Sequence, residues 1–112
     1  MSKATEKNNE TVREEKIANL LGLAQRAGKL AAGGMAVEKA LAGKKTVGVL
    51  LATDAAESTQ KICGQKAASM NIPVRTILDR ARMGRAVGHD GDIAAVAVLD
   101  AGFWRSLAKL FD

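Results

Sequence analysis

Two stretches of this chain are apolar almost without interruption: TVGVLLAT at 46–53 and IAAVAVL at 93–99. Both are short, rich in branched side chains and without polar alternation, which marks strands covered on both faces. A strand covered on both faces needs helices above and below it. The segments between the runs supply them. Ile17, Leu20, Leu21 and Ala24 recur on one helical face, and Val37, Ala40 and Leu41 on another. Asp54-Ala-Ala-Glu57 has capping-box spacing and predicts a helix to about Asn71, with Ile62, Cys63, Ala67 and Met70 inward. Asp79 predicts a cap for a helix through about Val87. Asp100 predicts one for a last helix with Phe103, Leu107, Leu110 and Phe111 inside. With VRTIL and a short extended piece at 29–32 as further strands, the expected fold is α/β. It is a three-layer α/β/α sandwich with a central mixed sheet of about four strands.

The 112 residues suit one domain. Residues 1–10 are polar and without apolar period, so they read as a disordered tail or linker. The expected domain is 11–112, with Thr11-Val-Arg-Glu14 as the capping box of its first helix. Gly28 should end that helix in the left-handed conformation.

Composition removes several functions. Cys63 is the single cysteine and His89 the single histidine, so neither a thiolate cluster nor a histidine cluster can hold a metal, and no cofactor is expected. Gly43-Lys44 resembles the end of a phosphate-binding P-loop. However, Glu38 stands where its leading glycine belongs and Lys45 where its serine or threonine belongs. Asp54, Asp79 and Asp100 are accounted for as caps, and no acid–base pair or activated nucleophile remains. An enzyme is not expected, nor a small-molecule substrate. No apolar run approaches the ~20 residues of a membrane span, and the expected setting is cytoplasmic.

The net charge is +5. Up to Lys16 the charges balance, so the excess lies in the folded body, which favours a polyanionic partner. Tyrosine is absent and aromatics make up 3%, which argues against single-strand recognition by base stacking. The feature best suited to an anion is Gly33-Gly34 before a helix. Unpaired N–H groups and a partial positive charge open there, and no side chain blocks approach.

The motifs NLLGLAQRAGKLAAG, VGVLLATDAAESTQKI, NIPV and MGRAVG followed by IAAVAVLD occur in that order. Together they resemble the ribosomal L-seven-Ae family, in particular its bacterial YlxQ-type members, over residues 16–111. The resemblance implies an α/β/α fold and RNA as partner, typically a kink-turn, a bent duplex with tandem sheared G·A pairs. Such members use a glycine-led turn, the helix after it, and a loop before the last strand. The family turn reads Gly-Thr-Asn-Glu, with Lys three residues later. Carried over, Gly33 matches the glycine, Gly34 takes the threonine place and Lys39 matches the lysine. Met35 and Ala36 replace the asparagine and glutamate that read base edges, and neither can make those hydrogen bonds. The second loop corresponds to Gly88 through Ile93.

The sequence thus predicts a small monomeric protein binding structured RNA, ribosome- or ribosome-assembly-associated. Lys29, Gly33, Gly34, Met35 and Lys39 are expected on one side of the site, with Arg85, Gly88 and His89 on the other. The alternative is a protein-interaction module that kept the fold and lost RNA, which an exposed Met35-Ala36 would suit.

Overall fold

The computed structural model describes residues 2–111, with side chains from residue 11 onward. Four strands form one sheet: β1 (Leu30–Ala32), β2 (Gly48–Leu51), β3 (Val74–Thr76) and β4 (Ala95–Val98), in the order β1-β4-β2-β3. β4 runs antiparallel to both β1 and β2, while β2 and β3 are parallel. The sheet is mixed, as the sequence led one to expect.

Its two faces carry separate cores. Leu50, Val96 and Val98 pack with Ile17 and Leu21 of helix α1 (Ser2–Arg26), Met83 of α5 (Arg80–Ala86) and Leu107 of α6 (Ala101–Phe111). Val49, Leu51, Ala95 and Ala97 face the other way. They meet Val37 and Leu41 of α2 (Gly34–Ala42), together with Cys63 and Ala67. Successive strand residues point to opposite faces, and here each face is covered. That is why the two runs are apolar throughout, and every residue of β2 and β4 is buried.

Two helix starts and one buried face differ from expectation. Helix α1 spans Ser2–Arg26, so residues 2–10 are helical, and Thr11 lies inside the helix and not at its cap. Alanine, lysine and glutamate in that stretch favour helix, and no glycine or proline stops it. Met1 lies outside the described residues. The helix expected from Asp54 begins instead at Glu57, with Ala56 as its uncapped N-cap. It proceeds as α3 (Glu57–Thr59), a π-helical turn (Gln60–Gln65) and α4 (Lys66–Ser69). The wider π turn shifts the phase of the buried face. Cys63, Gly64 and Ala67 are buried while Ile62, expected inside, is 44% exposed. Gly64 allows this, since a Cβ there would stand 2.9 Å from Leu51 Cδ1.

The remaining caps agree with the sequence. Asp79 accepts the Arg82 N–H at 2.8 Å, and Asp100 accepts the Phe103 N–H at 3.0 Å. Gly28 has φ 72°, the left-handed turn expected after α1. Among the described residues no helix is long and apolar enough to cross a membrane.

Candidate nucleic-acid interface

Strand direction gathers the turns on one rim. β1, β2 and β3 end there and β4 begins there, since Leu51 pairs with Ala95 and Thr76, and Ala32 with Val96. The Gly33-Gly34 turn, the Ala52–Ala56 connection, Leu78-Asp79 and the loop before β4 therefore share one edge. In α/β sheets ligands gather at the carboxyl ends of strands.

Gly33 sits at φ 101° and ψ 152°, a region that side-chain-bearing residues avoid. Its N–H donates to the Ala95 carbonyl at 2.8 Å, and its carbonyl accepts the Val37 N–H at 2.9 Å. One residue thus ties the start of α2 to the start of β4. A Cβ at Gly33 would lie 4.0 Å from Ile93 Cδ1, whereas one at Gly34 would meet nothing within 4 Å. No side chain caps α2. The N–H groups of Gly34, Met35 and Ala36 therefore open outward without helical partners, at the positive end of the helix dipole. Beneath them the buried Cys63 thiol lies 3.8 Å from the Gly34 carbonyl and can donate to it. Burial, and then the Glu38 charge, push that thiol's pKa up. It is a packed neutral group and not an activated nucleophile.

The loop of 88–93 is held by α5. Gly84 lies against the Gly91 carbonyl so closely that any Cβ would overlap it. The His89 N–H donates to the Gly84 carbonyl at 2.8 Å, and the Ile93 N–H to the Arg80 carbonyl at 3.1 Å. The His89 ring nitrogen Nδ1 is 3.4 Å from the Gly91 oxygen. His89, Asp90, Gly91 and Asp92 are all exposed, as are Gly88 and Arg85.

The Gly33–Ala95 hydrogen bond ties the turn of Gly33, Gly34 and Met35 to the start of β4, into which the loop carrying Gly88 and His89 leads. Met35 is 85% exposed, so its side chain supports no core. Two expected members stand apart. Lys39 belongs to the last turn of α2, not the first, although it shares an exposed face with Met35 four residues before it. Lys29 precedes β1, where its carbonyl accepts the Leu99 N–H at the far end of β4. The length of β1 separates it from the glycine turn.

A contact absent from the sequence reading links the rim. Asp54 accepts the Arg80 N–H at 2.8 Å and pairs with its guanidinium at 3.4 Å. The Arg80 backbone hydrogen bond holds the Asp54 carboxyl below its ordinary pKa. Asp54 therefore serves the start of α5 and not its own helix. Its partner lies 26 residues away, so no local pattern signals it. Among the described residues no three His, Cys, Asp or Glu side chains converge as a metal site would need.

A four-stranded mixed sheet between two helical layers, with a glycine-led helix start beside the loop before the last strand, defines a class of α/β/α binding domains. The chain belongs to the ribosomal protein L7Ae/L30e/S12e/Gadd45 family, whose model matches residues 15–108. It is 37% identical to the RNA-binding protein YlxQ of Bacillus subtilis (strain 168) over 93 residues, covering 83% of this chain and 92% of the relative. It is 29% identical to the YlxQ RNA-binding protein of Enterococcus faecium, covering 88% and 93%. A Bacillus halodurans C protein of unknown function superposes with a TM-score of 0.80 at 40% identity, covering 87% of this chain and 97% of that one. The 15.5kD RNA binding protein of Giardia lamblia superposes at 0.71 with 15% identity, covering 88% and 83%, a likeness of fold.

Proposed function

We propose that this chain is a small RNA-binding protein whose domain, residues 11–112, grips structured RNA at the glycine turn, in a ribosomal or ribosome-assembly setting. One observation carries the reading: the uncapped start of α2, led by Gly33 and open above Gly34, is fixed against the loop that precedes β4. Backbone N–H groups at a helix start suit phosphate oxygens. Phosphate contacts position an RNA, and base contacts specify it. Here Met35 and Ala36 offer no base-edge hydrogen bonds. Binding is therefore chiefly electrostatic, with a kink-turn preferred for its bent backbone more than for its G·A edges.

Dissociation constants for a kink-turn RNA across a salt series test this. The reading requires affinity that falls steeply as salt rises. No binding at low salt overturns it.

A second reading, a protein-interaction module, is favoured by exposed apolar side chains: Met35 at 85%, Leu23 at 50% and Ile62 at 44%. These are scattered over different elements, and the RNA reading accounts better for the open helix start.

A further inference from the structure

Much of the charge on the rim that holds the glycine turn is acidic or already paired. On and just behind that rim Arg80 is held by Asp54 and Lys61 by Glu57. The exposed loop before β4 adds Asp90 and Asp92, with Arg85 nearby. An RNA backbone lying over that loop would meet two carboxylates.

Four cations outside the ion pairs of the described residues lie along α2, at its exit and on the facing α4. Lys39 and Lys66 line a shallow groove beside Met35, Ala36 and Ala42, with Glu38 its one acid. Lys44 and Lys45 follow where the helix ends, both exposed. Arg26 does not join them, because its guanidinium folds back to within 3.8 Å of where a Gly22 Cβ would stand. Nine residues of α2, at a rise of about 1.5 Å each, span roughly 14 Å. That length carries the cations from the glycine turn to the opposite rim. Lys44 adopts φ 58°, a left-handed conformation that glycine or asparagine enters more readily. A lysine therefore occupies a position that backbone geometry alone would give to glycine.

We infer that the outer face of α2, the facing start of α4 and the exit turn of α2 form a cationic track of Lys39, Lys66, Lys44 and Lys45. Along it the phosphate backbone of a bound RNA runs from the glycine turn toward the opposite rim of the sheet, away from Asp90 and Asp92. This rests on the RNA-binding reading above and adds the direction the RNA takes.

The test is fluorescence anisotropy with a fluorescein-labelled kink-turn RNA across a potassium chloride series. Three proteins are compared: the parent, K44G/K45Q and D90N/D92N. Lys44→Gly removes charge and relieves the left-handed conformation together, so the variant should melt no lower than the parent. Each lost phosphate contact lowers the salt slope by about 0.7–0.9, so the pair should lower it by about 1.5. If counterion release is the whole effect, this corresponds to a Kd about thirty-fold weaker at 0.1 M salt. D90N/D92N should bind within about twofold of the parent, because screening at that salt extends about 10 Å. If the parent binds and K44G/K45Q keeps its slope, the track is overturned while the RNA-binding reading stands. If D90N/D92N binds far more tightly, the RNA crosses the second loop and the track is again overturned. If the parent binds no RNA at low salt, the reading falls and the track with it.

Discussion

Replacing Gly84 by alanine sets two effects of opposite sign against each other. Gly84 lies in α5, and in a helix interior alanine is favoured over glycine by about 1 kcal/mol. Propensity alone predicts a more stable protein. The structure predicts the reverse, because the new Cβ would overlap the Gly91 carbonyl, a backbone atom that cannot swing aside. Relieving the overlap means moving the 88–93 loop off α5. Overpacking of this kind costs about 1–3 kcal/mol. The move also strains the His89 N–H to Gly84 carbonyl bond and the Ile93 N–H to Arg80 carbonyl bond, each contributing about 1 kcal/mol net. Against the gain of about 1 kcal/mol, the balance is a loss of about 2–4 kcal/mol. For a domain near 100 residues that lowers Tm by roughly 10 °C. Urea and thermal unfolding followed by fluorescence give the number. The probe is Trp104, the chain's one tryptophan, whose indole covers the Cβ position of Gly48. An unchanged or raised Tm would refute the close packing of the loop on α5, and with it the claim that α5 fixes the loop that leads into β4.

Other expectations concern the site itself. Lys39→Ala should weaken binding to all RNAs alike, with a salt slope shallower by about one unit. Its Tm should move little, since an exposed substitution costs about 0.5 kcal/mol or less; titration by anisotropy beside a melting curve checks both. Met35→Asn with Ala36→Glu returns an amide and a carboxylate to the turn. It should raise preference for an intact kink-turn over one lacking its G·A pairs by about 1–3 kcal/mol, the value of a bidentate base contact in DNA recognition, measured with both RNAs at one salt concentration. Asp54→Asn should flatten the acid limb of the stability curve. The folded carboxyl titrates below its ordinary value of 3.8. Its contribution is therefore present above that value and is lost as pH falls through the lower folded pKa. Urea midpoints across the acid range, wild type against variant, show it.

Much of the fold was legible because its determinants are local. Val49 to Leu51 and Ala95 to Val98 are apolar because both sheet faces are covered, and that pattern is visible in the sequence itself. Asp79 and Asp100 cap helices that begin beside them. Asp54 shows where such reasoning stops. It has the same spacing signature as a cap, but the Arg80 N–H, brought in by the fold, takes its carboxylate. Ile62 shows a second limit. One π turn changes the residue count per turn, and a face drawn with a regular helical period then turns the wrong residue inward. In the site, Gly33 was legible because only a glycine enters its backbone region comfortably. The place of Lys29 was not, since sequence nearness to Gly33 hides a strand that carries the two to opposite ends of β1.

The central claim is that RNA is held at the start and along the face of α2. Ultraviolet crosslinking in cells, with sequencing of the attached RNA and mass spectrometry of the modified peptide, tests it most directly. The account predicts RNA covalently attached within the segment from Gly33 to Lys45, with structured RNA enriched among the sequences. Recovery of protein alone, or of RNA attached only at the far faces of α1 and α6, would contradict it.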